Sequence, residues 1–131
     1  GMLVMVALSD QITSSVMKPY FLRLRPSRDP ALEGLVHIVN GYRGGLYGFA
    51  SSHAANTFGV ATFVFMMLPE KKYLVVLFFW AALVSYTRIY LGVHYPGDIL
   101  VGVIVGVLCA VFAVRVTQFA FGKWQDRQPL S

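Results

Sequence analysis

Three ionisable residues lie close together between two long apolar segments of this sequence. Arg88, His94 and Asp98 share one short stretch, in a chain in which only 13% of the residues are charged. Ionisable groups between apolar segments are costly and usually have a function. A carboxylate can fix the tautomer of a histidine that acts as a base or nucleophile. An arginine beside them can bind phosphate oxygens through two parallel hydrogen bonds.

Two earlier stretches carry residues that suit the same chemistry. Lys18 and Arg25 are cations near the end of a predicted helix, because the proline that follows Arg25 disfavours helical geometry there. The alternative is a positive flank that anchors a span in lipid headgroups. Ser51 and Ser52 precede His53 at the start of an apolar run, where a serine can cap a helix and the free N–H groups can bind an anion. A histidine at this position alone would more often cap or pack.

In this order, the stretches resemble the motifs of the type 2 phosphatidic acid phosphatase superfamily. That family includes membrane lipid phosphatases, soluble acid phosphatases and vanadium-dependent haloperoxidases. Its first motif is Lys, six residues and Arg-Pro, and Lys18, Arg25 and Pro26 match it in full. Its second motif is Pro-Ser-Gly-His, which here reads Ala-Ser-Ser-His at residues 50–53.

The third motif of that family is Ser-Arg, five residues, His, three residues and Asp. Here it is matched by Thr87, Arg88, His94 and Asp98, with Thr in place of Ser. The substitutions in the second and third motifs remove no group with a direct chemical role. Three motifs in the family's order, between apolar segments, are far more specific than any one of them.

The resemblance implies a phosphatase that needs neither a metal nor another cofactor. His94 would attack phosphorus and form a phosphohistidine, while Asp98 would hold its other ring nitrogen. His53 would protonate the leaving oxygen. The fixed cations would do the work that magnesium does elsewhere. The residues expected to bind the phosphate are Lys18, Arg25, Ser51, Ser52 and Arg88.

The composition favours a membrane protein. The chain has 131 residues, room for one domain, and 56% of them are hydrophobic. Its charged fraction is half of the roughly 25% typical of soluble domains. The net charge of +5 suits anionic lipids or phosphorylated substrates. Nucleic-acid binding is not expected, because no stripe of Lys and Arg lies on a polar helix. The single Cys109 is expected to pack in the core.

The apolar pattern predicts an all-α fold, a single membrane-embedded domain over residues 1–131. About four helices are expected, at residues 2–24, 54–68, 73–91 and 98–121, with a long loop at 27–49. Gly92 suits a helix end and Pro96 a helix start. Gly102 and Gly106 permit close helix contact, either inside the bundle or in self-association through the last helix. The resemblance implies six spanning helices, so two N-terminal helices would be absent from this chain or never existed in it.

Connectivity places the three motifs at one end of the bundle. The motif cations have a catalytic explanation, so the remaining Lys71, Lys72, Lys123 and Arg127 are taken to mark the cytoplasmic side. The site of a bacterial inner-membrane protein would then face outward.

Three functions follow from these observations. The first is an integral membrane phosphatase that acts on a lipid phosphate or on a polyprenyl pyrophosphate such as undecaprenyl pyrophosphate. The second is a soluble acid phosphatase or haloperoxidase-like member of the same superfamily, against which the apolar runs from residues 73 and 99 argue. The third is a non-catalytic bundle that binds anionic lipid headgroups.

Overall fold

The computed structural model describes residues 1–68 and 71–125, and within them it is an all-α bundle, as predicted. Arg127, one of the cations assigned to the cytoplasmic side, lies outside these residues. The connection between the first helix and α3 contains two short 3₁₀ helices and an isolated β-bridge between Leu24 and Tyr47. The helices are α1 (Met2–Asp10), a π-helical segment (Gln11–Met17), α2 (Lys18–Phe21), α3 (Ser52–Met67), α4 (Lys71–Tyr90) and α5 (Pro96–Gln125).

The first helix runs through α1, the π-helical segment and α2, and it ends earlier than predicted. Leu22 adopts a left-handed conformation, with φ 48°, and closes the helix after Phe21. Arg25 is extended, and its N–H donates to the carbonyl of Leu46. The helix predicted over residues 2–24 is therefore too long. Arg25 reaches Lys18 through loop geometry and not through helix periodicity.

Polar residues of the first helix face the protein interior, because polar groups exposed to lipid would be costly. Ser9 and Thr13 are fully buried. The Ser9 hydroxyl lies 2.6 Å from Oδ1 of Asn56, and the Thr13 hydroxyl lies 2.9 Å from that of Ser52. The polar interruptions of this apolar segment thus mark its contact with α3.

Small residues bring α3 and α5 into backbone contact. A Cβ added at Gly106 would overlap the carbonyl oxygen of Ala55, and one at Gly102 would lie 2.5 Å from that of Ser51. The glycine pair therefore packs inside the bundle, and it is not free for self-association. Beside it lies a core cluster that includes Cys109, as predicted; its other members are Met5, Phe63, Ala110, Ala113 and Val114.

The outer faces of α4 and α5 are strongly apolar. Among the described residues, one helix, over Pro96–Gly122, is long and apolar enough to cross a membrane, and Leu74–Tyr90 is a shorter apolar helix. Large apolar side chains recur on the exposed face of α5 about once per helical turn: Leu100, Ile104, Leu108, Phe112, Val116 and Phe119.

The helix ends that carry the motifs meet at one end of the bundle. Gly92 adopts φ 65° just after α4, which allows the chain to reverse, and Pro96 opens α5 two residues before its predicted start. The N–H of Ser51 donates to the carbonyl of Asp98, which joins the starts of α3 and α5. The N–H of Ser27 donates to Gly92 and ties the long loop to the same end.

Candidate active site

His94 and Asp98 form the buried centre of the motif cluster. Their side chains are 2% and 1% exposed, and Nδ1 of His94 lies 3.6 Å from Oδ2 of Asp98. This distance makes the pair a close electrostatic contact, slightly too long for a hydrogen bond. Oδ2 also accepts a hydrogen bond from the N–H of Tyr95 at 2.8 Å. The other carboxylate oxygen, Oδ1, lies 3.1 Å from Nη1 of Arg23.

The surroundings of His94 favour its neutral form. Burial lowers the pKa of this imidazole below its usual 6.5. The Asp98 carboxylate opposes that shift, while the charges of Arg25 and Lys18 reinforce it. A neutral imidazole has a lone pair available for attack or for proton transfer. His94 is therefore suited to act as a base or a nucleophile near neutral pH.

The ammonium group of Lys18 is held at the start of α3. Its Nζ donates to the Ser52 hydroxyl at 2.8 Å and to the Ser14 hydroxyl at 3.2 Å. Thr13 also bonds to Ser52, so one hydroxyl joins the first helix to α3. The π-helical segment carries both Thr13 and Ser14, and such segments often occur at functional sites. Ser52, predicted to bind phosphate, positions the predicted phosphate-binding lysine.

The loop backbone fixes Arg25. Its Nε donates to the carbonyl of Tyr47 at 3.1 Å, and its Nη1 to that of Val93 at 3.3 Å. A Cβ at Gly44, where φ is 64°, would lie 2.9 Å from the same Nη1. The glycine-rich loop thus leaves room for a guanidinium group, which a larger residue at Gly44 would displace.

Arg88 lies in the last turn of α4, on the opposite side of the cluster. Its Nε is buried and, within residues 1–68 and 71–125, has no hydrogen-bond partner; the same holds for Nδ1 of His94 and for the Ser85 hydroxyl. A buried donor without a partner is costly in free energy, and native proteins usually keep one where it has a function. Arg88 therefore has a donor to offer to an anion in the site. Thr87 has turned its hydroxyl to the carbonyl of Val84, at 2.6 Å.

His53 is exposed in the first turn of α3 and faces the cluster. The charges of Arg88, Lys18 and Arg25, and the imidazole of His94, all lie within electrostatic range of its ring. Its exposure leaves it able to exchange a proton with a bound molecule.

Ser51 is the N-cap of α3. It is fully buried, its hydroxyl accepts the N–H of Ala54 at 3.3 Å, and its own N–H is bonded to Asp98. These contacts give Ser51 a capping role, and its contact with phosphate stays a prediction. The first N–H groups of α3, on Ser52 and His53, point out of the helix start and can still face an anion.

Arg23 and Tyr95 belong to the site, and the sequence analysis did not select them. Arg23 lies inside the first motif, at a position that the motif leaves open. Its contact with Asp98 spans 75 residues of sequence, so no local pattern could have indicated it.

The arrangement combines a buried imidazole, a carboxylate, an exposed histidine and four cations at one end of the bundle. Such a set can bind a tetrahedral anion, attack it and protonate a leaving group. In the part of the chain that the structure describes, no three His, Cys, Asp or Glu side chains converge to form a metal site.

Comparison with known proteins places this fold and site in one class. The sequence profile of the PAP2 superfamily matches residues 1–121. The chain belongs to the PAP2 superfamily, as its three motifs predicted.

Two relatives carry the same description, lipid A 4'-phosphatase. The protein from Porphyromonas gingivalis is 41% identical over 124 residues, which are 95% of this chain and 52% of that protein. The one from Bacteroides thetaiotaomicron is 45% identical over 102 residues, 77% of this chain and 45% of that protein. The chain thus spans about half the length of these relatives.

A solved structure has the same fold. The crystal structure of Aquifex aeolicus LpxE superposes with a TM-score of 0.69 and is 28% identical in sequence. The match covers 87% of this chain and 65% of the solved one.

Proposed function

We propose that this chain hydrolyses a phosphate monoester of a membrane lipid through a phosphohistidine intermediate. The observation that carries the proposal is the buried His94, which faces Asp98 and lies within electrostatic range of Lys18 and Arg25. The proximity of a nucleophile with a free lone pair to several fixed cations suits an anionic electrophile such as phosphate.

The reaction would proceed in two steps. Nε2 of His94 attacks phosphorus while Lys18, Arg25 and Arg88 neutralise the non-bridging oxygens. Partial burial and the neighbouring cations lower the pKa of His53, so it must first take up a proton, which it then gives to the oxygen that leaves as an alcohol. A water, deprotonated by the now neutral His53, then attacks the phosphohistidine and releases inorganic phosphate. Asp98 stabilises the positive charge on His94 while the phosphoryl group is attached.

The relatives support a glycolipid as the first substrate to test. Both are described as lipid A 4'-phosphatases, so we propose that lipid A is the preferred class of substrate. A polyprenyl pyrophosphate is the second candidate, since the same cations could bind a diphosphate. The apolar outer faces of α4 and α5 support an integral membrane location, for which we propose the bacterial inner membrane with the site facing outward.

Phosphate release by the detergent-solubilised chain tests this function. Lipid A, phosphatidic acid and undecaprenyl pyrophosphate are offered separately, and release is expected to be fastest from lipid A. His94→Ala should lower the rate by several orders of magnitude, and quenching in alkaline denaturant, in which the P–N bond of phosphohistidine survives, should trap phosphoprotein in the unaltered chain alone. Arg115→Gln, on the exposed surface of α5, is the control that should leave the rate unchanged. Activity in His94→Ala equal to that of the parent would remove the mechanism. Binding without phosphate release would favour a non-catalytic bundle.

A further inference from the structure

Arg23 is a cation of the site for which the family motif gives no role. It lies in the extended segment between α2 and the long loop, and its Nη1 is 3.1 Å from Oδ1 of Asp98. Its side chain is 45% exposed, against 1% for Asp98. An ion pair that is open to solvent on one side contributes little stability by itself. The Arg23–Asp98 pair is therefore more important for the position of the Asp98 carboxylate than for the stability of the fold.

A second contact holds the guanidinium group of Arg23 in place. Its central carbon lies 4.4 Å from the centre of the Tyr95 ring, a cation–π arrangement. The Tyr95 hydroxyl donates to Oδ2 of Asp29 at 3.1 Å, which anchors the ring to the long loop. Arg23 is thus supported by a ring on one side and ends on a buried carboxylate.

The two oxygens of Asp98 have separate partners. Oδ1 faces Arg23, whereas Oδ2 accepts the N–H of Tyr95 and faces Nδ1 of His94. A carboxylate held at both oxygens cannot rotate without breaking one of these contacts. We propose that Arg23 is a positioning residue: by holding Oδ1 it keeps Oδ2 against His94, and so keeps the other ring nitrogen directed into the site. The catalytic meaning of this role rests on the proposed function, but the arrangement itself does not.

The charged groups around His94 make the titration of this histidine a test of the proposal. Asp98 faces it from α5, Lys18 from α2 and Arg25 from the loop, while Arg88 of α4 and His53 of α3 complete the cluster. The positive charge of Arg23 offsets part of the negative charge of Asp98. Loss of Arg23 therefore has two effects of opposite sign: a less neutralised carboxylate favours protonated His94, whereas a carboxylate that turns Oδ2 away from Nδ1 favours the neutral form.

The first experiment follows the titration of His94 by NMR in the absence of any substrate. His37→Gln and His53→Gln leave His94 as the single histidine of the detergent-solubilised chain. If Arg23 positions Asp98, adding Arg23→Gln should lower the titration midpoint by on the order of half a pH unit, and a raised midpoint would show a loss of charge alone and overturn the proposal. Arg23→Lys keeps the charge and should move it little, and Arg115→Gln, which removes one remote charge, should not move it. An unchanged midpoint in Arg23→Gln would overturn the proposal.

The second experiment separates positioning from phosphate binding. In the chain with all its histidines, Arg23→Gln should lower kcat on lipid A about tenfold, the scale found when an outer partner of a functional histidine is removed. Vanadate inhibition should keep its strength, because Arg23 does not touch the phosphate, and Arg23→Lys should restore part of kcat. A loss of vanadate affinity with no change in titration would make Arg23 a phosphate ligand and overturn the proposal.

Two further results remain decisive. If Arg23→Gln does not fold, Arg23→Met keeps an apolar chain over the Tyr95 ring and takes its place in both experiments. If the chain proves inactive on every phosphate offered, the proposed function fails, and the substrate-free titration still decides whether Arg23 positions Asp98 and His94.

Discussion

The residues of this site divide into groups that face a ligand and groups that hold those residues in place. Arg88 has a buried Nε with no partner among the described residues and His53 is exposed, whereas the hydroxyls of Ser51 and Ser52 bond to the start of α3 and to Lys18. This division depends on the tertiary partner of each polar group, which a sequence motif does not specify. Predictions at this scale concern the two histidines.

The pH dependence of stability should report the burial of His94. Its pKa is lowered in the folded state, so the unfolded chain binds more protons at acid pH. This contribution to stability is complete well above pH 6.5 and is lost as the pH falls below that value. Thermal unfolding of the parent chain and of His94→Gln in the same detergent, at pH 8 and pH 5, measures it. The parent should lose more stability between the two, and equal losses would contradict the burial of a neutral imidazole.

The proposed role of His53 predicts a dependence on the leaving group. A lipid alkoxide needs a proton to leave, whereas a nitrophenolate needs little help. His53→Ala should therefore slow hydrolysis of a lipid phosphate by about 10²–10⁴-fold more than that of nitrophenyl phosphate. His94→Ala should slow both alike, because attack on phosphorus is common to them. The reverse pattern in initial rates would exchange the two roles.

At the scale of elements, the site depends on how closely α3 and α5 approach each other. The N–H of Ser51, just before α3, is bonded to the carbonyl of Asp98 in the first turn of α5. Gly102 and Gly106 allow the close approach of the two backbones on which this bond depends. The packing of α3 against α5 and the geometry of the site therefore depend on the same glycines.

A single methyl group should test that link. Gly106→Ala places a Cβ in the backbone of Ala55, and overpacking of this kind costs about 1–3 kcal/mol. It should lower the melting temperature and also activity, because the starts of α3 and α5 must separate. Gly122→Ala is the matched control, since a Cβ there meets nothing within 4 Å. It should be neutral or slightly stabilising by helix propensity, and equal behaviour of the two variants would contradict the packing.

At the scale of the whole molecule, a polar cluster of cations is placed at one end of a bundle whose sides are apolar. The chain buries little of its large apolar surface on itself: Phe79, Leu100 and Phe119 are more than half exposed. If the bundle faces lipid, the phosphate of a lipid headgroup would reach the cations at its polar end. The acyl chains of that lipid would remain beside the apolar helices.

Fixed cations should make the reaction independent of added metal. In the proposed mechanism Lys18, Arg25 and Arg88 provide the positive charge that a magnesium ion would otherwise supply, so EDTA is expected to leave phosphate release unchanged. Vanadate resembles trigonal-bipyramidal phosphorus and should inhibit competitively at the same cations. A requirement for a divalent ion that EDTA abolishes and Mg²⁺ restores would contradict this account.

The sequence alone determined the class of fold and the residues that meet in the site. Long apolar runs favour helices, because in lipid their backbone groups must bond within the segment. The three motifs selected the histidines and cations by residue type and spacing. The helix ends at Gly92 and Pro96 were predictable because glycine and proline restrict the backbone itself.

Only the tertiary structure decided how each of these groups is used. The roles of Ser51, Ser52 and Arg23 depend on partners 34 to 75 residues away or across a helix junction, and no local pattern encodes such a distance. The early end of the first helix is set by Leu22 and by loop pairing at Arg25, which propensity does not anticipate. The motifs therefore indicated which residues belong to the site, and the packing of the helices and the loop decided which contacts each of them makes there.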